Sequence, residues 1–318
     1  MIPRRITVVG AAGFVGRYVV KRLAAEGAVI AACCRHAHEA GYLRPMGDVG
    51  QVATFNADLA DERAMAALVA GADAVVNAAG IIHEHGKQNF DAVHHQGPAQ
   101  LARLAQAAGV KRFVHISAIS ADAAAPSRYS QSKAAGDAAV RAAFPAATIL
   151  RPSLIFGPED EFFNQFAAMA RYLPALPLIG GGATKFQPVY VGDVAEAVVR
   201  VLGREDSAGQ TYEIAGPVVL SLREMFEIML GIIGRKRLLM TLPFGLASVE
   251  GLFMELLPKP PFTRDMVRML KRDAIATPGA PGLAALGIVP ETLEIVLPTY
   301  LERYRRAGRI APRKALKA

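Results

Sequence analysis

Tyr129 and Lys133 are the two residues of this chain whose types and spacing best suit proton transfer. They are four residues apart in a stretch with a helical pattern, so both side chains would lie on one helix face. A tyrosine phenol has an ordinary pKa of about 10, and a neighbouring ammonium group would stabilise its phenolate near neutral pH. An ordinary solvated helix face can show the same spacing, so the pair alone does not define a catalytic site.

A glycine-rich turn near the start of the chain is suited to binding a dinucleotide. A strand-like run at residues 6–9 leads into Gly10, Gly13 and Gly16, and a helical pattern follows at 17–23. Gly10 permits a tight turn, Gly13 lets the backbone approach the phosphates, and Gly16 lets the helix pack closely on the strand. Free amides and the positive end of the helix dipole would face the anion. A turn that merely connects two packed elements is the alternative.

The elements that must position these residues alternate along the first half of the chain. Apolar runs predict strands near 6–9, 28–33, 52–56, 73–78, 112–117 and 147–151, with helical segments between them. This alternation predicts an α/β fold with a doubly wound parallel sheet of the Rossmann type.

The pattern changes after residue 152. We predict an NAD(P)-binding domain over residues 1–155 and a smaller, mainly helical C-terminal region over 156–318 that offers a substrate or partner surface. A strand at 186–191 and a helix at 194–202 are expected to return to the core of the first domain, so that 186–202 belongs to it. The remainder, from about Gly203, is expected to be mostly helical.

Composition excludes several classes of protein. The chain has 318 residues, 52% of them hydrophobic, which is enough to bury a substantial core. Its net charge is +8, but Lys and Arg are dispersed, apart from a basic tail at 303–317. Nucleic acid is therefore not expected as a partner. Cys33 and Cys34 are adjacent, and we expect them to pack in the core of a protein from a reducing compartment.

The apolar segment at 238–257 is relevant to whether the protein spans or contacts a membrane. It is interrupted by Pro243, Glu250 and Glu255, and the folded pattern begins near Ile6. These features predict neither a membrane-spanning helix nor a secretory signal. We expect a cytoplasmic protein, and peripheral attachment to the inner face of the membrane remains open. The segment is either buried core or part of a membrane surface.

Four motifs together resemble the short-chain dehydrogenase/reductase superfamily in its extended or atypical branch. They are the glycine turn, residues 56–59, residues 77–80 and the Tyr129/Lys133 pair, and they follow the order and spacing of that superfamily. The resemblance implies that Tyr129 is the proton donor or acceptor and that Lys133 holds the nicotinamide ribose and tunes Tyr129. Ser117 is expected to complete the catalytic set, with Ser120 as the alternative.

The resemblance also predicts the cofactor site. Cys33-Cys34-Arg35-His36 stands where an NAD-selective site usually has Asp or Glu, and Arg35 with Arg17 suits a 2′-phosphate. NADPH is therefore the expected cofactor, ahead of NADH. Pro152 and Ser153 are expected beside the nicotinamide. The predicted cofactor-binding residues are Gly10, Gly13, Phe14, Val15, Gly16, Arg17, Arg35, Asp58, Leu59, Ala78, Ala79, Gly80, Lys133, Pro152 and Ser153.

Residues 144–160 and 187–194 narrow the resemblance further. They are similar to the family of the 39 kDa accessory subunit of respiratory complex I and its bacterial relatives, as are residues 261–265, and the resemblance runs from about Ile6 to Leu301. It implies an NADPH-binding protein whose mitochondrial members serve as structural subunits. His94 stands where many superfamily members carry Asn, which argues against an Asn-dependent proton relay here.

Three functions remain open from the sequence. The first is an NADPH-dependent oxidoreductase acting on a small apolar carbonyl or alcohol, including quinone-related substrates. The second is a nucleotide-stabilised accessory or assembly protein of a respiratory complex at the membrane. The third is an NAD-dependent sugar-nucleotide epimerase or dehydratase. No metal site is predicted, because no Cys or carboxylate spacing completes a recognisable ligand set around His83, His85, His94 and His95.

Overall fold

The strand-like runs of the first half form neighbouring strands of one parallel sheet. The computed structural model describes residues 2–86, 88–255, 260 and 262–305. In chain order the strands are β1 (Arg5–Val9), β2 (Val29–Cys34), β3 (Val52–Asn56), β4 (Ala74–Asn77), β5 (Arg112–Ile116), β6 (Thr148–Pro152), β7 (Ile155–Phe156), β8 (Ala175–Ile179), β9 (Lys185–Phe186), β10 (Val189–Tyr190), β11 (Thr211–Ile214), β12 (Leu220–Ser221) and β13 (Leu238–Leu242).

Helices connect these strands and cover the sheet. They are α1 (Phe14–Ala25), α2 (Glu62–Val69), α3 (Gly97–Ala107), α4 (Arg128–Ala143), α5 (Phe162–Tyr172), α6 (Val191–Leu202), α7 (Leu222–Ile232), α8 (Phe244–Met254), α9 (Arg264–Met269) and α10 (Leu293–Leu301). A π-helical segment, Asp91–Gln96, leads directly into α3.

The main sheet has seven strands in the order β11-β6-β5-β4-β1-β2-β3, and every neighbouring pair is parallel. Side chains alternate between two apolar cores. Ile6 and Val8 of β1 pack in a core with α1 and α6, whereas Val9 packs in a second core with α2, α3 and α4. Both faces of the sheet are covered, which confirms the predicted doubly wound α/β fold.

The seventh strand of the sheet differs from the sequence prediction. The expected strand at 186–191 is two short strands, β9 and β10, and both lie outside the main sheet. The edge position beside β6 belongs to β11, inside the region expected to be mostly helical. Only four residues form β11, and its buried Tyr212 and Ile214 meet a core built far away in sequence, so the local pattern gave little signal. The predicted helix is present as α6 and packs beside α1.

The smaller C-terminal part has an apolar core of its own. Residues of α5, α7 and α10 pack there with β8, and Phe226 and Leu297 are fully buried. Helix α7 begins at a capping box, in which Ser221 accepts a hydrogen bond from the backbone N–H of Glu224 and the Glu224 carboxylate accepts from that of Ser221. This part lies against the sheet domain through α4 and α9.

The apolar segment at 238–257 forms a strand and a helix, β13 and α8; residues 256 and 257 lie outside the described residues, as does the basic tail from 306 onward. Ala247 and Gly251 of α8 are buried, but Leu246, Val249 and Phe253 are exposed. Buried core therefore accounts for only one face of this segment. Among the helices of the described residues, none is long and apolar enough to cross a membrane.

Candidate functional site

A cleft of about 800 Å³ opens at the carboxyl ends of β1, β2 and β4, where parallel α/β sheets bind their ligands. Nine of the predicted cofactor-binding residues line it, namely Gly10, Gly13, Arg17, Arg35, Asp58, Leu59, Ala78, Ala79 and Gly80. The remaining predicted cofactor residues, Phe14, Val15, Gly16, Lys133, Pro152 and Ser153, are not among the residues that line the cleft.

The glycine turn forms a cradle that side chains would fill. Gly10 has φ +77°, and a Cβ there would lie 2.7 Å from the backbone nitrogen of Ala79. A Cβ at Gly16 would lie 2.1 Å from the carbonyl oxygen of Gly10, so Gly16 supports the turn from behind. Helix α1 begins at Phe14 with Gly13 as its N-cap and no side-chain cap, which leaves amides free for an anion. These residues fit a dinucleotide pyrophosphate.

Both predicted arginines lie at the end of the cleft beyond β2. Arg17 donates to the carbonyl oxygens of Ala12 and Gly13, and its guanidinium carbon lies 5.2 Å from the centre of the Tyr42 ring. Arg35 is exposed at the cleft wall. The sequence reasoning missed Glu39, a carboxylate that lines the same end.

Ser153 is not directed at a ligand. Its hydroxyl donates to the carbonyl oxygen of Ala274 at 2.7 Å and accepts from the backbone N–H of Gln187 at 3.3 Å. Its side chain therefore ties β6 to the C-terminal part. Any contact with a nicotinamide would have to come from its backbone.

Tyr129 lies in the first turn of α4, which begins where the side chain of Ser127 accepts a hydrogen bond from the backbone N–H of Ser130. Its ring packs edge-on against Phe90 and His94, with ring centres 5.9 Å and 5.3 Å away. Burial raises the pKa of Tyr129 to about 12. The phenol is therefore protonated at neutral pH in this structure.

Lys133 is buried one helical turn further along α4. Its Nζ donates to the carbonyl oxygen of Ile116 at 3.3 Å, and a Cβ at Gly80 would lie 3.5 Å from the same Nζ. Lys133 thus joins α4 to the floor of the dinucleotide cleft. Burial lowers the pKa of Lys133 to about 8, and the negative charge of Asp137 opposes this shift. In the part of the chain that the structure describes, no hydrogen bond joins Lys133 directly to Tyr129.

Ser117 faces a different part of α4 from Tyr129. Its buried hydroxyl lies near the carboxyl group of Asp137, although the two groups do not reach good hydrogen-bond geometry. Asp137 follows Tyr129 by two helical turns. Within the described residues the Ser117 hydroxyl therefore has no hydrogen-bond partner. Ser120, the alternative, is partly exposed beyond the end of β5.

A buried polar network lies behind Lys133 and was missed in the sequence. Arg151 holds Asp137 through Nε and Nη2, both 2.8 Å from Oδ2. The Nε2 atom of His115 lies 3.6 Å from the other carboxylate oxygen of Asp137, and His115 Nδ1 lies 3.1 Å from the side-chain nitrogen of Asn77. Burial, and then the charge of Lys133, lower the pKa of His115 to about 3. The only sequence signal was a carboxylate four residues after Lys133.

The same network fixes the tautomer of His115. The side-chain oxygen of Asn77 accepts from the backbone N–H of Ala79, which leaves its nitrogen to donate to His115 Nδ1. The ring proton must then be on Nε2, facing Asp137. The end of β4 is thereby connected through His115 and Asp137 to the helix that bears Lys133.

His94 supports Tyr129 but does not relay protons. Its Nε2 accepts from the backbone N–H of Ile81 at 3.1 Å, so Nδ1 carries the proton and donates to Ser132 Oγ at 2.9 Å. Ser132 in turn donates to the carbonyl oxygen of Tyr129. Burial, and then the charge of Lys133, lower the pKa of His94 to about 2. The ring is neutral with both nitrogens engaged.

Asp265 of α9 reaches across from the C-terminal part to the start of α4. Its two carboxylate oxygens accept hydrogen bonds from the backbone N–H groups of Arg128 and Tyr129 at 2.8 Å and 2.9 Å. A carboxylate at a helix N-terminus satisfies free amides and interacts favourably with the helix dipole. The C-terminal part thus fixes the turn that carries Tyr129, and nothing in the local sequence signalled this contact.

Comparison with known proteins agrees with this geometry. Residues 6–215 match the model of the NAD dependent epimerase/dehydratase family. NADH dehydrogenase [ubiquinone] 1 alpha subcomplex subunit 9 from Arabidopsis thaliana is 36% identical over 314 residues, which are 95% of this chain and 78% of that protein. The mouse protein of the same name is 35% identical over 302 residues, covering 94% of this chain and 80% of its own length.

A shorter match and a solved structure add to this. The ceramide reductase of Caulobacter vibrioides is 34% identical over 195 residues, 61% of this chain and 59% of that protein. The dTDP-glucose 4,6-dehydratase DesIV from Streptomyces venezuelae, solved with NAD and TYD bound, superposes with a TM-score of 0.73 at 22% identity, covering 95% of this chain and 97% of that one. At that identity the likeness shows the fold alone. The predicted family is confirmed: the chain belongs to the NAD dependent epimerase/dehydratase family, in the group that includes subunit 9 of the complex I alpha subcomplex.

Proposed function

We propose that this chain is an NADPH-dependent oxidoreductase acting on an apolar carbonyl or alcohol, including quinone-related compounds. One observation carries the proposal: the Lys133 Nζ lies against Gly80 on the floor of the dinucleotide cleft, one helical turn after Tyr129. A purely structural nucleotide site has no need of a tyrosine and a buried lysine at that point. The relative named ceramide reductase, whose name states the reduction of a lipid, supports an apolar substrate.

The residues divide the work of carbonyl reduction. When bound, NADPH supplies the hydride that adds to the carbonyl carbon. The free amides at the start of α1, Phe14 and Val15, would hold the pyrophosphate, whereas those of Gly10 and Gly13 already donate to backbone carbonyls. Tyr129 gives its phenolic proton to the carbonyl oxygen. Because burial raises the pKa of Tyr129 to about 12, Tyr129 carries the proton that this step needs at neutral pH. The ammonium of Lys133 stabilises the phenolate that remains.

Cofactor preference is assigned to the far end of the cleft. A 2′-phosphate would meet the exposed guanidinium of Arg35, with Arg17 behind it. Arginine suits phosphate because its planar fork donates two parallel hydrogen bonds. Glu39 lines the same end and would oppose a phosphate, so the preference for NADPH depends on Arg35.

Hydride transfer in single turnover tests the catalytic assignment. NADPH oxidation is followed at 340 nm with decylubiquinone and with a long-chain methyl ketone as substrates. Tyr129→Phe should lower the rate by about 10²–10⁴-fold, the usual contribution of a general acid. Tyr172→Phe is the control, because Tyr172 is 78% exposed and outside the cleft. A Tyr129→Phe rate equal to wild type refutes the assignment.

Titration calorimetry with both nucleotides tests the preference. Arg35→Ala should weaken NADPH binding about 10- to 100-fold and leave NADH binding unchanged, because a hydrogen-bonded charge contributes about 1.5–3 kcal/mol. Arg44→Ala is the control: Arg44 is exposed, donates to Thr54 and does not line the dinucleotide cleft. An Arg35→Ala protein that still prefers NADPH as strongly as wild type contradicts this assignment.

A second candidate is a nucleotide-stabilised accessory component of a respiratory complex. The relatives from Arabidopsis thaliana and mouse favour this candidate, because they are named as subunits of NADH dehydrogenase [ubiquinone] and their matches cover 94–95% of this chain. It predicts that bound nucleotide exchanges over hours and that Tyr129→Phe has no effect on assembly. Exchange against labelled cofactor separates the two candidates, because a catalyst must exchange on the timescale of turnover. The sugar-nucleotide alternative is supported by the match of residues 6–215 to the NAD dependent epimerase/dehydratase family, but the matched structures share only the fold and favour no substrate for this chain.

A further inference from the structure

Helix α8 has apolar side chains on both of its faces. Ala247 and Gly251 point inward and are buried. Leu246, Val249 and Phe253, spaced at i, i+3 and i+7, form an outward stripe and are 52%, 54% and 64% exposed. Surface helices of soluble domains normally carry polar residues on that side. The outward stripe therefore needs a partner that is itself apolar.

The strand before this helix also carries exposed apolar side chains. Leu238 and Met240 of β13 are 66% and 55% exposed. The backbone N–H of Leu238 donates to Pro174, which places the start of β13 beside the exposed Tyr172. We call Tyr172, Leu238, Met240, Leu246, Val249 and Phe253 the apolar face.

Positive charge surrounds the apolar face. Residues 235–272 contain eight Lys or Arg residues and only three Asp or Glu residues, so this short stretch supplies more than half of the net charge of +8. Arg171 lies over the ring of Tyr172, Lys236 is exposed just before β13, and Lys271 lies over the ring of Phe244 at the start of α8. Apolar side chains beside Lys and Arg match the two layers of an anionic lipid surface.

Ion pairs neutralise part of that charge. Arg264 pairs with Glu255, Arg268 with Asp265 and Arg272 with Asp122. Arg171, Lys236 and Lys271 form no ion pair within the described part of the chain. These three cations beside α5, β13 and α8 remain for an anionic partner.

We propose that the apolar face docks this protein on an anionic lipid bilayer. Helix α8 lies in the interface, its outward stripe enters the acyl region, and the surrounding Lys and Arg contact lipid phosphates. A protein partner is less well matched, because protein interfaces are depleted of Lys, whereas the charged groups beside the outward stripe include Lys236 and Lys271. The short length of α8, 11 residues, suits a helix that lies on the membrane.

The docking face is physically connected to the catalytic helix. Helix α8 packs on α9, where the backbone N–H of Arg264 donates to Glu255 at 2.8 Å. The next residue, Asp265, caps the turn of α4 that carries Tyr129. A docked protein would thus present its site close to lipid-dissolved carbonyl compounds, and this last point rests on the oxidoreductase function proposed above.

Sedimentation of the full chain with vesicles tests docking without any need for turnover. The vesicles are phosphatidylcholine alone or phosphatidylcholine with about 30 mol% phosphatidylglycerol. Wild type should bind the anionic vesicles and lose binding as salt is raised. Val249→Glu with Phe253→Glu should reduce binding at least tenfold. The matched control is Val289→Glu with Ile295→Glu, two exposed apolar residues outside the apolar face.

The outcomes separate this proposal from the catalytic one. NADPH binding and the thermal unfolding temperature, measured on the same proteins, should be equal in all three, which shows that the variants are folded. If the wild-type protein does not bind anionic vesicles, the docking proposal is overturned. This is also the result expected if a protein, and not a bilayer, covers the apolar face. Equal loss in the control pair also overturns the docking proposal. Neither result bears on the proposed oxidoreductase function, which the Tyr129→Phe experiment tests separately.

Discussion

Gly136 is the position where one added methyl group should most disturb the site. It lies in the middle of α4, where that helix crosses the π-helical segment Asp91–Gln96. A Cβ at Gly136 would lie 1.9 Å from the carbonyl oxygen of His94, whereas real Cβ contacts are essentially never under 3.0 Å. Because the neighbour is backbone, the two helices must separate by about 1 Å.

The free-energy cost of that separation follows from the interactions that span the helix crossing. The 2.9 Å hydrogen bond between His94 and Ser132 is one of them and would break. Overpacking typically costs about 1–3 kcal/mol, and a broken buried hydrogen bond adds about 1 kcal/mol or more. Alanine returns about 1 kcal/mol as a better helix former. We expect Gly136→Ala to destabilise the protein by about 2 kcal/mol, lowering Tm by roughly 3 °C.

Calorimetry and single-turnover NADPH oxidation measure the two consequences, lower stability and slower hydride transfer. Gly231→Ala is the matched control, because it is also a helical glycine and an added Cβ there meets nothing within 4 Å. That variant should be as stable as wild type or slightly more stable. Gly136→Ala should also slow hydride transfer, because His94 and Ser132 support Tyr129. A Tm for Gly136→Ala within about 1 °C of wild type would refute this reasoning.

Three further predictions concern charges around Tyr129. Burial lowers the pKa of Lys133 from its ordinary 10.5 to about 8, so folding disfavours the charged form of Lys133. Lys133→Met should therefore unfold at a higher temperature than wild type at pH 7. This gain in stability should disappear as the pH rises from about 8 to 10.5. The Asp137 carboxylate raises the pKa of Lys133, so Asp137→Asn should move the matching limb of the pH–rate profile to lower pH. Asp265→Ala should lower the free energy of unfolding in denaturant by about 1 kcal/mol and slow hydride transfer, because the Asp265 carboxylate caps the turn that carries Tyr129. Asp73→Ala is the control: the Asp73 carboxylate accepts from the backbone N–H of Arg5 at the start of β1, so its loss should leave the rate of hydride transfer unchanged.

Much of the fold and half of the site could be read from the sequence. Six of the seven sheet strands were predicted because each is a short run rich in apolar residues, and among them only the edge strand β3 is mostly exposed. The glycine turn was predicted because only glycine fits where Gly10 meets Ala79. Strand β11 was not, because four residues with two inward side chains carry too little periodicity.

The directions in which individual side chains point could not be predicted from the sequence. Ser117 and Ser153 have the types and positions expected of site residues, yet one faces Asp137 and the other bonds Ala274. A strand that ends one residue earlier or later turns its side chains to the opposite face, and no local pattern resolves that difference. The Ser153 hydroxyl is occupied by backbone groups, whereas the catalytic role of Ser117 stays a prediction.

The sequence by itself determined the alternating α/β order, the dinucleotide turn and the Tyr129/Lys133 pair, because each depends on residues within one or two helical turns of one another. Tertiary structure alone decided which groups surround that pair. Asp265 lies 136 residues after Tyr129 in the chain, yet it caps the same turn. The tertiary structure also decided that one face of α8 stays exposed, because burial depends on which elements pack against the helix and not on how apolar the segment is.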